Sequence, residues 1–319
     1  MAGLRRSIAV DLGGLMLSTP VMIASGCGGT GRELTGLVDT RRVGAIVTRS
    51  ITMHPRRGDP TPRIAETPAG ITWSTGMQNP GIAAFVTEEL PRFGRTGTAT
   101  FVSVAGGTLE EFVRVTTLLQ RRPEVAAIEV RLSEPDEELD RPMLGSNVER
   151  AIEIVGAVAR MSAVPVFAKL PAATPDLIEM ARGVVRAGAH GLTVLDSPGA
   201  MGVETSTLRP TLGPVTGWLS GPALKPLTLR AVFDIARHLP EVPLVAVGGV
   251  RSGSDAVDML LAGAWAVQVG TATLIDPAAP VEVARGIALY LKEKRLASPA
   301  DLRGRLRVPA ALDERVGRG

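Results

Sequence analysis

Eight apolar, β-rich runs, each followed by a segment of helical periodicity, constrain the fold of this chain more than any other feature. They end near Gly26 (VMIASG), Thr52 (AIVTRSIT), Gly106 (TFVSVAG), Ser133 (AIEVRLS), Leu170 (PVFAKL), Asp196 (GLTVLD), Gly248 and Gly270. Short runs with little polar alternation are what strands covered on both faces require. Helices are expected over 33–42, 82–93, 109–120, 148–161, 176–187, 227–238, 254–262 and 281–292. That rhythm favours a single (β/α)8 TIM barrel over a doubly wound sheet, which usually stops at about six strands. With 319 residues, the chain divides into a barrel over 1–295 and a basic tail over 296–319.

Three connections are long: 53–81, 134–146 and 197–224. All follow strands, so they project from the C-terminal face, where barrel enzymes keep their sites. The first contains HPRRGDPTPR and the third TLGPVTGWLSGPALKP; both are expected to form a structured lid and cap.

Composition removes other classes. One cysteine, Cys27, excludes an internal disulfide framework and fits the reducing cytoplasm. No apolar run approaches the roughly 20 residues of a bilayer span. MAGLRRSIAV lacks the apolar stretch of a secretory signal. The net charge of +3 is uneven, because eight basic and four acidic residues lie from Lys292 onward. That tail has no aromatic interleaving, so nucleic acid is not expected as a partner. No His, Cys or Asp grouping has metal-ligand spacing.

The stretch 243–272 carries the first functional signal. Gly248–Gly249 and Gly270–Thr271 close two neighbouring strands, and glycine corners there let backbone N–H groups approach an anion. Tight turns alone are the other reading. A G-x-G-x-x-G match at Gly26, Gly28 and Gly31 follows a strand, as a dinucleotide fold requires. Arg49, rather than an acidic residue, stands about 20 residues on, and eight β/α units leave no room for a second domain.

Several motifs together resemble the dihydroorotate dehydrogenase family. They are ETPAG (66–70), TGMQNPG (75–81), VAG (104–106), AKL (168–170), VTGWLSGPALKP (215–226), AVGGV (246–250) and VQVGTA (267–272). The resemblance runs from about Val10 to Lys292 and is closest to the cytosolic class 1 form that works with an iron–sulfur flavoprotein subunit. It implies FMN across the barrel mouth, a small cyclic substrate, an electron-transfer subunit as partner and a homodimer. Gly248, Gly249, Gly270 and Thr271 would hold the phosphate. Ala24, Ser25, Gly26, Ser220 and Gly221 would line the flavin, and Lys169 would lie beside its pyrimidine edge. A cation there stabilises the anionic reduced ring.

Most departures fall on the substrate side, but two concern the flavin: the resemblance gives Arg49 and Ser103 as cofactor-binding. Arg49 replaces a family lysine near the flavin, and the swap alters geometry while keeping charge. Trp73 replaces one recognition asparagine, although Asn79 is kept. In the loop carrying the family's cysteine base, N-x-S-C-P-N becomes Arg131-Leu132-Ser133-Glu134-Pro135-Asp136. Asp196-Ser197 replaces another asparagine and its neighbouring hydroxyl, and Ser103 stands where a related branch has asparagine. Sites built for amide pairing reject ligands that leave their polar groups unpaired. Arg131 could fork onto a carboxylate or phosphate, or pair with Glu134, Asp136 or Asp196. Glu134 is the candidate base, unless Arg131 lowers its pKa or it is a solvated loop residue. Cys27 reads as a small loop residue and His54 as a solvent-facing turn residue. Three functions follow: a flavin oxidoreductase with altered substrate, a dihydroorotate dehydrogenase with Glu134 as base, or a non-catalytic FMN- or phosphate-binding partner subunit.

Overall fold

The computed structural model describes residues 8–133 and 143–309. The chain opens with a hairpin of β1 (Val10–Asp11) and β2 (Met16–Leu17). β3 (Val21–Ile23) and β4 (Ala45–Val47) follow, then β5 (Ile64–Thr67) and β6 (Gly70–Trp73) of the first long connection. Next come α1 (Gly81–Ala84), a π-helical stretch over Phe85–Glu89, and α2 (Leu90–Gly94). Units β7 (Ala99–Val104)–α3 (Leu109–Leu119) and β8 (Val125–Arg131)–α4 (Val148–Met161) come after them. β9 (Val166–Leu170), α5 (Leu177–Arg186) and β10 (Gly191–Val194) follow. The third long connection contributes β11 (Gly199–Ala200), β12 (Val203–Glu204), β13 (Arg209–Pro210) and β14 (Gly217–Ser220). Then come α6 (Lys225–His238), β15 (Leu244–Val247), α7 (Gly253–Ala262) and β16 (Ala266–Val269). The short α8 (Thr271–Ile275) and the long α9 (Ala279–Lys294) complete the helices.

Strands β3, β4, β7, β8, β9, β10, β15 and β16 close a parallel barrel, so all eight expected strands are present. Period-two alternation sorts their side chains into two cores. Ile23, Ile46, Val102, Ile128, Ala168, Leu192 and Val267 face the helices. Met22, Val47, Phe101, Ala127, Phe167 and Val245 face inward, where Val10, Leu12 and Leu17 of the β1–β2 hairpin pack against them. That hairpin was not expected: its strands have two residues each, too short to register as a periodic signal.

The helix expected over 33–42 is instead two 3₁₀ turns, Leu34–Gly36 and Thr40–Arg42. Gly36 weakens the first, and the Asp39 side chain accepts from the Arg41 amide, starting a separate turn. The helix expected over 82–93 widens into its π stretch where Pro91 has no N–H to give back.

Two expected loops instead build a four-stranded sheet over the mouth, ordered β11-β14-β6-β5. At Gly70 (φ +156°) a Cβ would stand 2.0 Å from the Ser220 carbonyl oxygen, and at Gly221 (φ +108°) 2.6 Å from the Gly70 Cα. The two backbones therefore cross at glycines. Gly70→Ala is expected to push β6 off β14 and destabilise the protein by about 1–3 kcal/mol, read as a lowered urea midpoint.

After α9 the chain turns back: the Gly304 and Leu306 amides donate to the Leu260 and Leu261 carbonyls (3.1 and 3.0 Å). The Arg303 guanidinium lies 3.7 Å from the centroid of the Trp265 ring. Among the described residues no helix is long and apolar enough to cross a membrane.

Candidate functional site

The strand ends and the lid sheet enclose a cavity of about 290 Å³, near the lower end of small-molecule pockets. Ala24, Ser25 and Gly26, which follow β3, form one wall. Gly26 has φ +81° and nothing within 4 Å of a built Cβ, so the backbone itself lines open space there. Gly248 and Gly249 (φ +122° and +80°) make the corner after β15, and Gly270 and Thr271 the one after β16. Ser220 and Gly221 join the two corners from the lid, with Thr271 Oγ1 donating to Ser220 Oγ at 3.0 Å. In the first turn of α8, the Thr271 and Ala272 amides have no intrahelical acceptor four residues back. Arg251 adds a cation at this end.

The other end is built from charge. Asp196, after β10, is 5% exposed and meets two cations: Arg131 Nε donates to Oδ2 at 3.1 Å, and Lys169 Nζ lies 3.4 Å from Oδ1. The Ser197 amide also donates to Oδ1 at 2.9 Å. Burial pushes the Asp196 carboxyl up, but the Lys169 ammonium and the Arg131 guanidinium outweigh it and hold it well below the usual range. Burial likewise opposes the charge on Lys169, yet Asp196 and Glu129 keep its pKa above the ordinary lysine value. Trp73 and Trp218 face each other across β6 and β14, and the Arg131 guanidinium sits 5.9 Å from the centroid of the Trp218 ring. Of the three acids expected as partners of Arg131, Asp196 is the one within the described residues, and the two are bonded.

Arg49 also reaches the cavity, donating through Nη1 to the Gln78 carbonyl at 3.3 Å, with Nε 3.9 Å from Glu89 Oε2. Burial raises the Glu89 carboxyl, and Arg49 only partly offsets that. Cys27 lines the cavity between the β3 and β16 ends. Burial pushes its thiol up to about 11 against the pull of Lys169, which leaves it protonated at neutral pH. Among the described lining residues, then, no thiol or carboxyl is set up as a base.

Two expected residues, Asn79 and Ser103, stand away from the cavity wall. Asn79 is buried, and its Nδ2 donates to Thr52 Oγ1 (2.9 Å) and the Met77 carbonyl (2.8 Å) while Oδ1 accepts from the Gly81 amide (2.9 Å). It braces the first loop. Ser103 lies behind the wall, its hydroxyl 2.9 Å from that of Ser50, which does line it. His54 is exposed. Glu134 and Asp136 lie outside the described residues.

Sequence reasoning passed over Trp218 and Glu129. Glu129 stands inside the barrel, fully buried, where Thr193 Oγ1 and Gln268 Nε2 donate to its Oε2 at 2.9 and 2.8 Å. The signal was present: an acid at an inward position of an otherwise apolar run, two residues before Arg131. Among the described residues no group of three or more His, Cys, Asp or Glu side chains is placed to hold a metal.

The family model for dihydroorotate dehydrogenase matches residues 7–291. The chain is 39% identical over 301 residues to the dihydroorotate dehydrogenase B (NAD(+)) catalytic subunit of Geotalea daltonii, covering 94% of this chain and 98% of that one. The protein of the same name from Pelobacter propionicus is 40% identical over 303 residues, 95% and 99% of the two chains. That from Geobacter sulfurreducens is 38% identical over 301 residues, 94% and 98%.

Proposed function

The chain belongs to the dihydroorotate dehydrogenase family, and on that premise we propose an FMN-dependent oxidoreductase whose substrate pocket has been altered from one that takes dihydroorotate. The cofactor end of the cavity fits FMN. Gly248, Gly249, Gly270 and Thr271 offer backbone at two adjacent corners for a phosphate, with Arg251 beside them. Gly26 leaves open the space that a side chain would fill. Ala24, Ser25, Ser220 and Gly221 complete the lining. When bound, FMN supplies the acceptor for a hydride.

The chain's own residues do the rest. Lys169 places a buried ammonium where negative charge grows on reduction. Trp73, Ile71 and Met77 on the lid side cover the mouth with apolar surface and exclude water. Arg131 and Asp196, bonded to each other, present a charged edge in place of amides. That ion pair is the observation that carries the altered specificity, because an amide-recognising ligand must now break or bridge it.

A second reading, a dihydroorotate dehydrogenase of pyrimidine biosynthesis, is favoured by near full-length identity of about 40% to relatives of that name. Glu134, three residues beyond β8 in sequence, would be its base. Those relatives are named catalytic subunits, which supports an electron-transfer partner here too. A homodimer and a cytoplasmic location complete the proposal, the latter supported by the single cysteine.

Anaerobic mixing of the flavin-loaded protein with dihydroorotate, and separately with other cyclic dihydro compounds, decides between the readings. The first predicts that dihydroorotate leaves the visible flavin band unbleached while another compound bleaches it. Rapid bleaching by dihydroorotate that Glu134→Gln slows would establish the second.

A further inference from the structure

The barrel interior changes character halfway along its axis. Below lie Phe101, Phe167, Ala127 and Val245; above them Lys169, Glu129, Thr193 and Gln268 form a buried polar layer directly under the cavity floor. A fully buried carboxylate carries a large desolvation cost, so its surroundings should show what it does. One oxygen of Glu129, Oε2, is fixed by Thr193 Oγ1 and Gln268 Nε2. The other, Oε1, receives no hydrogen bond and lies 3.9 Å from Lys169 Nζ. Two donors from two different strands thus orient the carboxylate so that its second oxygen faces the ammonium.

We infer that Glu129 is a positioning residue for the redox step, holding Lys169 charged and in place at the wall of the flavin cavity. The inference rests on the flavin reading above. Four charged or titratable groups face Lys169: Asp196 beyond β10, Glu129 and Arg131 on β8, and Cys27 beyond β3. Arg131 and burial both oppose the ammonium, and Asp196 is shared with Arg131. Glu129 therefore supplies the negative charge that Arg131 does not claim. Asp196 approaches from the cavity side and Glu129 from within the barrel, so Lys169 is held from both sides. Loss of Glu129 leaves the ammonium dependent on one shared partner.

The test is the flavin midpoint potential as a function of pH in the holoprotein. Where Lys169 loses its proton, the reduced anion loses its counter-charge and the potential falls more steeply with pH. Wild type is expected to show no such steepening up to about pH 9. In Glu129→Gln it is expected to enter that range, moved down by about one to three pH units. Lys169→Met should show none, alone or combined with Glu129→Gln. If Glu129→Gln does not fold, Thr193→Val frees one of the bonds orienting the carboxylate and is expected to shift the profile the same way by less. A Glu129→Gln profile superimposing on wild type overturns the assignment, as does a steepening that survives in the double variant, or an unmoved Thr193→Val profile where that is the variant read. A yellow wild type with unmoved variants overturns this inference alone; a wild type that takes up no flavin overturns the flavin reading with it.

Discussion

Lys169→Met is expected to slow flavin reduction by about 10²–10³-fold, the usual loss when a charge aimed at a developing anion is removed from a closed site. Stopped-flow loss of the oxidised flavin band, with whichever compound reduces the wild type, measures it. The size of the effect follows from burial: Lys169 is 7% exposed, so water cannot replace the missing charge. The same substitution leaves Asp196 with one cation instead of two and Glu129 with hydrogen bonds alone. Removing one partner from a buried charge cluster costs about 3–5 kcal/mol, so the unfolding midpoint should fall as well. The two effects separate because flavin reduction is read on folded, loaded protein. An unchanged reduction rate would remove Lys169 from the redox step.

Gly249→Ala is expected to weaken flavin binding about 10- to 100-fold, as strain of about 1–3 kcal/mol in the loop translates into affinity. Gly249 has φ +80°, a conformation that alanine adopts at a penalty, and its Cβ would stand 2.4 Å from the Lys225 amide nitrogen. That neighbour cannot retreat. Lys225 begins α6, and its Nζ is fixed to Asp255 Oδ1 at 2.6 Å and Asp258 Oδ2 at 2.7 Å on α7. The corner must therefore move toward the cavity. Quenching of FMN fluorescence on titration measures the loss. Gly36→Ala, where a Cβ meets nothing within 4 Å, serves as the comparison and should bind as wild type does.

The eight barrel strands were legible because each is covered on both faces, and buried strands write themselves as unbroken apolar runs. The lid sheet was not. Its strands run two to four residues; β5 and β6 form a short local hairpin, but the sheet is completed by pairing across the chain, as Ile71 pairs with Ser220, which no local window contains. The turns over 33–42 misled because apolar spacing suggested a helix that Gly36 and Asp39 then divide. At the site, the glycine corners and Lys169 were readable because their chemistry depends on their own residue type. Asn79 was harder to read for the opposite reason: an amide serves a ligand and a loop equally well, and in this structure it bonds to Thr52, Met77 and Gly81. The pairing of Arg131 with Asp196 depends on strand order, which sets β8 next to β9 and β9 next to β10 and brings together residues 65 apart in the chain.

The most direct measurement is a titration of flavin-stripped protein with FMN, followed by visible absorption and fluorescence. Uptake of one FMN per chain, weakened by Gly249→Ala and not by Gly36→Ala, is the predicted result. A chain that stays colourless and leaves FMN fluorescence unquenched would contradict it.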